Sequence, residues 1–151
     1  MSESGPILKR LREILAIPGD RVGRARRIAA AIRGTGGYRW VGIYAVGPEE
    51  ISVIGWSGPA PPAHPRFSRD RGICGAAAAS GKTVVVEDVT KDPRYLKTLD
   101  DTRSEMVVPV KRGNGDVVGL IDVESDREDA FTPLDLRLLE GYASVVAGLW
   151  R

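Results

Sequence analysis

The chain has 151 residues, 42% of them hydrophobic and 28% charged, which is the composition of one ordinary globular domain and argues against disorder. Its formal net charge is only +2, no apolar run approaches roughly eighteen residues, and no charged-then-apolar leader opens it, so neither membrane spanning nor secretion is indicated. A single cysteine, Cys74, rules out an internal disulfide and fits a reducing, cytoplasmic location.

Residues 1–34 are basic, with eight Lys/Arg against three Asp/Glu. Residues 6–17 set Ile7, Leu8, Leu11, Ile14 and Leu15 at helical spacing, and Pro18-Gly19 ends the pattern. Asp20 is expected to cap a second helix with Val22, Ala25, Ile28, Ala29 and Ile32 as its apolar stripe and Gly34 to Gly37 as its stop. Arg21, Arg24, Arg26, Arg27 and Arg33 fall mostly off that stripe. No aromatic residues interleave with them and no base-reading motif follows, so they read as a solvated face and not as a nucleic-acid surface.

Tyr38–Val46 alternates as a strand, with Val41, Ile43 and Ala45 on one side and Trp40, Gly42 and Tyr44 on the other. Glu50–Trp56 is expected to pair with it. Gly42 would leave a gap between two aromatic rings, a concave amphipathic surface; the competing role for Trp40 and Tyr44 is core filling. Residues 57–71 carry four prolines and no periodicity, and read as a long ordered loop or lid. The only histidine, His64, lies there, and one His with one Cys offers no metal-ligand cluster. Gly72-Ile73-Cys74-Gly75 opens a short alanine-rich helix ending at Ser80. A thiol at a helix N-terminus has its thiolate favoured, which makes Cys74 a candidate reactive group; the alternative is a small buried hydrophobe.

Thr83–Val86 reads as a brief buried strand, and residues 87–101 as loop with one helical turn. Ser104–Ser125 is a β-hairpin around Gly113-Asn114-Gly115-Asp116, with Asn114 and Gly115 as loop residues. Counting back from that turn sets Glu105 opposite Glu124 and Val107 opposite Asp122. One face, with Met106, Val108, Val110, Ile121 and Val123, is wholly apolar. The other gathers Glu105, Asp122 and Glu124 at one end, where like charges oppose one another unless they are solvated, paired with arginine or met by a ligand. Thr132, Pro133 and Asp135 have the pattern of a capped helix start, followed by a stripe of Leu138, Tyr142, Val145 and Leu149. Together these elements make an α+β domain over 1–151, with helices in 1–34 and a core over 38–150. A mostly antiparallel central sheet carries the N- and C-terminal helices on its apolar face.

From about Tyr38 to Trp150 the chain resembles a GAF domain, and within that superfamily it is most similar to free methionine-R-sulfoxide reductase. The resemblance rests on RWVGIY, RGICGAAAASGKTVVVEDV, RSEMVVPV, GLIDVES and the Phe131-Thr132 entry to the last helix. It implies a pocket on the sheet face opposite the terminal helices, with a ligand site formed by Trp40, Tyr44, Glu105, Asp122 and Glu124, where an aromatic pair and carboxylates hold a free amino acid. Glu124 is one methylene longer than the family's usual Asp. The reductase uses three cysteines, whose places here are Cys74, a supporting position, His64 in the lid and Thr98 at the principal nucleophile. Threonine forms no stable anion near neutral pH and does not reduce sulfur.

The function expected is therefore a small-molecule-binding GAF module, a sensor or regulatory protein for an ammonium-bearing ligand, without cofactor or metal. The alternative is a reductase working with Cys74 and an external thiol. The resemblance also implies a homodimer through the terminal helices. An output domain is not expected in a chain of this length, so signalling would pass through a partner or through oligomerisation. Bilin attachment, haem and cyclic nucleotides fit less well, because Cys74 is followed by Gly75, only one histidine is present, and carboxylates host phosphate poorly.

Overall fold

The computed structural model describes residues 5–151; the first four residues of the 1–34 segment lie outside the described residues. Helices α1 (Gly5–Ala16) and α2 (Arg21–Gly36) are followed by strands β1 (Trp40–Val46), β2 (Glu50–Ser57) and β3 (Arg66–Ser68). Then come α3 (Gly72–Ser80), β4 (Val84–Val86), β5 (Ser104–Lys111), β6 (Val117–Ser125) and α4 (Pro133–Val146). The strands form one six-stranded sheet in the order β3-β2-β1-β6-β5-β4, and every neighbouring pair is antiparallel.

Alternation within the strands divides the core in two. Val41, Ile43, Met106, Val108, Val110, Ile121 and Val123 join residues of α1, α2 and α4 in one cluster. Trp40, Tyr44, Val107 and Leu120 face the other way and pack with Ile51, Ile73, Cys74 and Ala77. The terminal helices thus cover one face, leaving the other to α3 and the long loops. Asp20 caps α2 by accepting from the Gly23 amide at 2.7 Å. Thr132 and Asp135 complete a reciprocal capping box that fixes the start of α4.

Several local expectations change. Val22 is 47% exposed and leaves the α2 stripe to Ala25, Ile28, Ala29 and Ile32. Helix α4 buries Leu139, Tyr142, Ala143 and Val146, a face rotated by one residue from the expected Leu138 and Val145. Strand β4 is a sheet edge, and Val85 on it is 41% exposed, so it is not the buried strand expected. The proline-rich loop contains β3, which pairs with β2 through Ile51 and Phe67.

The β5–β6 register has Glu105 opposite Glu124 and Val107 opposite Asp122, as counted from the sequence, although the turn differs. Arg112 and Asp116 close a three-residue loop through the Arg112 amide and the Asp116 carbonyl (3.0 Å). Only Gly115 takes positive φ, at +92°, and Asn114 does not. This is a type I turn followed by a left-handed residue and a bulge. The bulge beside Lys111 absorbs the extra loop residue and keeps the carboxylates aligned.

The arginines of α2 are partly committed to local structure. Arg24 donates to the Ile17 carbonyl at the end of α1, Arg33 donates to the Tyr38 carbonyl, and Arg21 lies over the Trp150 ring at 5.8 Å.

Candidate functional site

Three adjacent strands set the floor of the site. Trp40 of β1 is opposite Glu124 of β6, which is opposite Glu105 of β5; in the next row Gly42, Asp122 and Val107 line up. Side chains at these positions share the face away from the terminal helices. Trp40, Tyr44, Glu105, Asp122 and Glu124 are therefore brought together on one surface by pleat and register alone.

The gap expected above Gly42 is filled. A Cβ at this position would collide with the Trp40 ring and press on that of Tyr44, so the glycine lets the indole fold down onto the strand. Trp40 and Tyr44 meet in a tilted pair at 6.3 Å, and Phe67 adds a third ring 5.9 Å from Tyr44. Both rings are buried in the second core cluster and share the sheet face of the carboxylates.

Glu105, Asp122 and Glu124 are 3%, 1% and 0% exposed. The choice between solvation and pairing left open by the sequence is resolved against both. Among the described residues no lysine or arginine forms an ion pair with any of the three. Lys97, which lines the same cavity, is paired with Asp100. Thr102 donates to Glu124 Oε1 at 2.9 Å, Thr98 also reaches Glu124, and the three carboxyls lie within hydrogen-bonding reach of one another, while Asp122 Oδ1 and Glu124 Oε2 meet no donor outside these groups. Burial first, and then the neighbouring carboxylates, raise all three well above the ordinary carboxylate range. Burial and the same charges also raise the Tyr44 hydroxyl.

Cys74 lies in the first turn of α3 and is buried. Burial pushes its thiol up, and Asp122, Glu105 and Glu124 push it further, so burial above all opposes the thiolate that the helix N-terminus was expected to favour. Donor atoms of Cys74, Glu105 and Asp122 lie within 4.8 Å of one another, a grouping that a count of His and Cys alone does not find.

A lid closes the cavity. Trp40 Nε1 donates to the Ala60 carbonyl (3.0 Å), and the Ala63 amide donates to the Thr98 carbonyl (3.0 Å), tying the proline-rich loop to the sheet and to the segment before β5. His64, Cys74 and Thr98, the three places where the resemblance sets cysteines, all line this one cavity. Its volume open to water centres is about 10 Å³, room for a single water molecule.

Thr102, Tyr95 and Phe67 were not singled out from the sequence. Thr102 holds Glu124, and the Tyr95 hydroxyl accepts from the Thr98 amide at 3.1 Å. The only sequence signal for Phe67 is its position between Arg66 and Ser68, an alternation too short to read as a strand.

An antiparallel sheet covered by helices on one face, with a lidded carboxylate cavity on the other, defines an α+β small-molecule-binding module. Residues 20–149 match the family model for the GAF domain, and the chain belongs to that family. It is 30% identical over 134 residues to GAF domain-containing protein A of Dictyostelium discoideum, covering 88% of this chain and 83% of that protein. It is 34% identical over 76 residues to free methionine-R-sulfoxide reductase of Saccharomyces cerevisiae, covering half of this chain and 42% of that enzyme. The free methionine-R-sulfoxide reductase of Neisseria meningitidis, solved in complex with its substrate, is similar with a TM-score of 0.84 and 30% identity, covering 95% of this chain and 86% of that one. Among the described residues no helix is long and apolar enough to cross a membrane.

Proposed function

We propose that this GAF module binds a small ligand through an ammonium group, a free amino acid being the class that fits, with the ammonium held by Glu105, Asp122 and Glu124 and the side chain received by Trp40 and Tyr44. The observation that carries this reading is the set of three buried carboxylates with no cationic partner among the described residues. An ammonium supplies one positive charge and three donors, and each charge-assisted bond to a carboxylate contributes about 1.5 to 3 kcal/mol. A neutral or anionic ligand would leave the buried charge uncompensated. Because the closed cavity has room for only one water, binding requires the lid over Trp40 to lift.

Relatives named as free methionine-R-sulfoxide reductases make that sulfoxide the first amino acid to test. Reductase chemistry on Cys74 is the less favoured reading, since its surroundings suppress the thiolate that must attack sulfur. A regulatory role through a homodimer, paired by α1 and α4, is part of the same proposal, and sedimentation of the full chain tests it.

The deciding experiment is a thermal-shift series with free amino acids, their oxidised forms and the N-acetylated counterparts. Ligand at about one hundred times Kd stabilises by about 2.7 kcal/mol. The shift should vanish on acetylation, which removes the ammonium. Equal shifts with acetylated ligands, or none with any amino acid, overturn the reading. Turnover of methionine-R-sulfoxide that is abolished by Cys74→Ser would establish the reductase instead.

A further inference from the structure

Among the residues lining the cavity is a cluster of potential ligand atoms. Cys74 Sγ, a Glu105 carboxylate oxygen and an Asp122 carboxylate oxygen converge within 4.8 Å of one another, and all three residues are buried. Two observations set this group apart from an ordinary acidic cluster. Asp122, which lines the cavity, is 1% exposed, and its buried Oδ1 meets no donor outside the neighbouring acids. The closed cavity has room for one body the size of a water, about 10 Å³, which suits a single ion and excludes an amino acid.

We propose that Cys74, Glu105 and Asp122 bind a thiophilic divalent cation of the zinc class when the pocket is closed. One sulfur and two oxygens make a three-ligand shell with a fourth position for water, the pattern of zinc sites that remain open. Magnesium and calcium take oxygen shells and gain nothing from the sulfur, whereas a copper(I) ion would prefer more sulfur than the site has. His64 lines the same cavity from the lid and is the remaining strong donor there. The three ligands sit on well-held elements: Glu105 and Asp122 on neighbouring strands, Cys74 in the first turn of α3.

Binding replaces the S–H bond with a metal–sulfur bond and each carboxyl O–H at the site with a metal–oxygen bond, releasing those protons to solvent with no change of oxidation state. This inference goes beyond the ammonium reading and is separable from it. Both use Glu105 and Asp122, but only the cation needs sulfur.

The test is titration of the full, reduced chain with Co²⁺, followed by absorption spectroscopy. One equivalent should bind with a near-ultraviolet thiolate-to-cobalt charge-transfer band, and Zn²⁺ should displace it. Cys74→Ser should abolish the band, with circular dichroism confirming the fold. Asp122→Asn and Glu105→Gln, which relieve charge repulsion and so keep the fold, should weaken Co²⁺ binding by about tenfold or more. A Co²⁺ spectrum without the charge-transfer band, or one unchanged by Cys74→Ser, overturns the proposal. Amino-acid binding that persists in Cys74→Ser would leave the ammonium reading intact in either case.

Discussion

Asp122→Asn should stabilise the empty protein at neutral pH, an outcome opposite to that of most buried substitutions. Glu105, Asp122 and Glu124 have folded-state pKa values well above the ordinary 3.8 and 4.5. Between the ordinary and the raised values the folded chain therefore holds protons that the unfolded chain has lost. With more protons bound in the folded state, stability is fully present at low pH and declines as pH rises through that window, by about 1.4 kcal/mol per pH unit for each such proton. Asparagine removes one titrating group and offers amide donors to the flanking carboxylates. Across that window the variant should gain on the parent by about 1.4 kcal/mol per pH unit for one proton, or roughly 3 to 6 °C in Tm per pH unit for a domain of this size. Urea unfolding at pH 5, 6 and 7, with a chelator present and tryptophan emission as the probe, measures the two slopes. Parallel slopes for variant and parent would refute the reasoning, because they would mean that Asp122 ionises alike in the folded and unfolded chains.

Trp40→Phe deletes the indole N–H that donates to Ala60, a loss of about 0.5 to 1.5 kcal/mol, and the smaller ring leaves a cavity at a fully buried position that adds to that cost. Amides near Ala60 should then exchange up to about tenfold faster, while those of β6 stay unchanged in hydrogen-exchange mass spectrometry. Thr132→Ala breaks the capping box of α4 and should lower stability by about 1 kcal/mol in urea titration, with ligand and metal binding unaltered. Alkylation of Cys74 by iodoacetamide at pH 7 should be much slower in the folded protein than in urea, because the folded thiol is both buried and disfavoured as thiolate.

The sheet faces were legible because a period of two survives anything that preserves register. Met106 and Ile121 could be assigned to the core, and Glu105 and Asp122 to one surface, from the hairpin alone. The turn was misassigned because an Asn-Gly pair fits both a two-residue primed turn and a three-residue loop with Gly115 left-handed; the bulge beside Lys111 made both give the same pairing further along. The phase of α4 was ambiguous for a related reason. Leu138 and Leu139 are adjacent and equally apolar, so the choice between them depends on how α4 rests on β5, which no local period encodes. Val22 has the right spacing for the α2 stripe but lies in its first turn and is 47% exposed.

Burial of the carboxylates was less legible than their clustering. Whether three acids at a sheet end are solvated or enclosed depends on Trp40 holding Ala60 and on Ala63 holding Thr98, bonds between segments 20 and 35 residues apart. Those contacts raise the energy of an otherwise inexpensive arrangement, because like charges repel by only tenths of a kcal/mol when solvated and by far more when water is excluded. A lid closed over unpaired carboxylates disfavours every occupant that is not a cation and favours protons when no other cation is present. The same enclosure governs Cys74. Next to carboxylates and away from water it is poorly suited to attack as a thiolate, yet a divalent ion would remove both obstacles at once by neutralising the acids and displacing the thiol proton. The environment that weakens the case for redox catalysis at Cys74 is therefore the one that strengthens its case as a ligand.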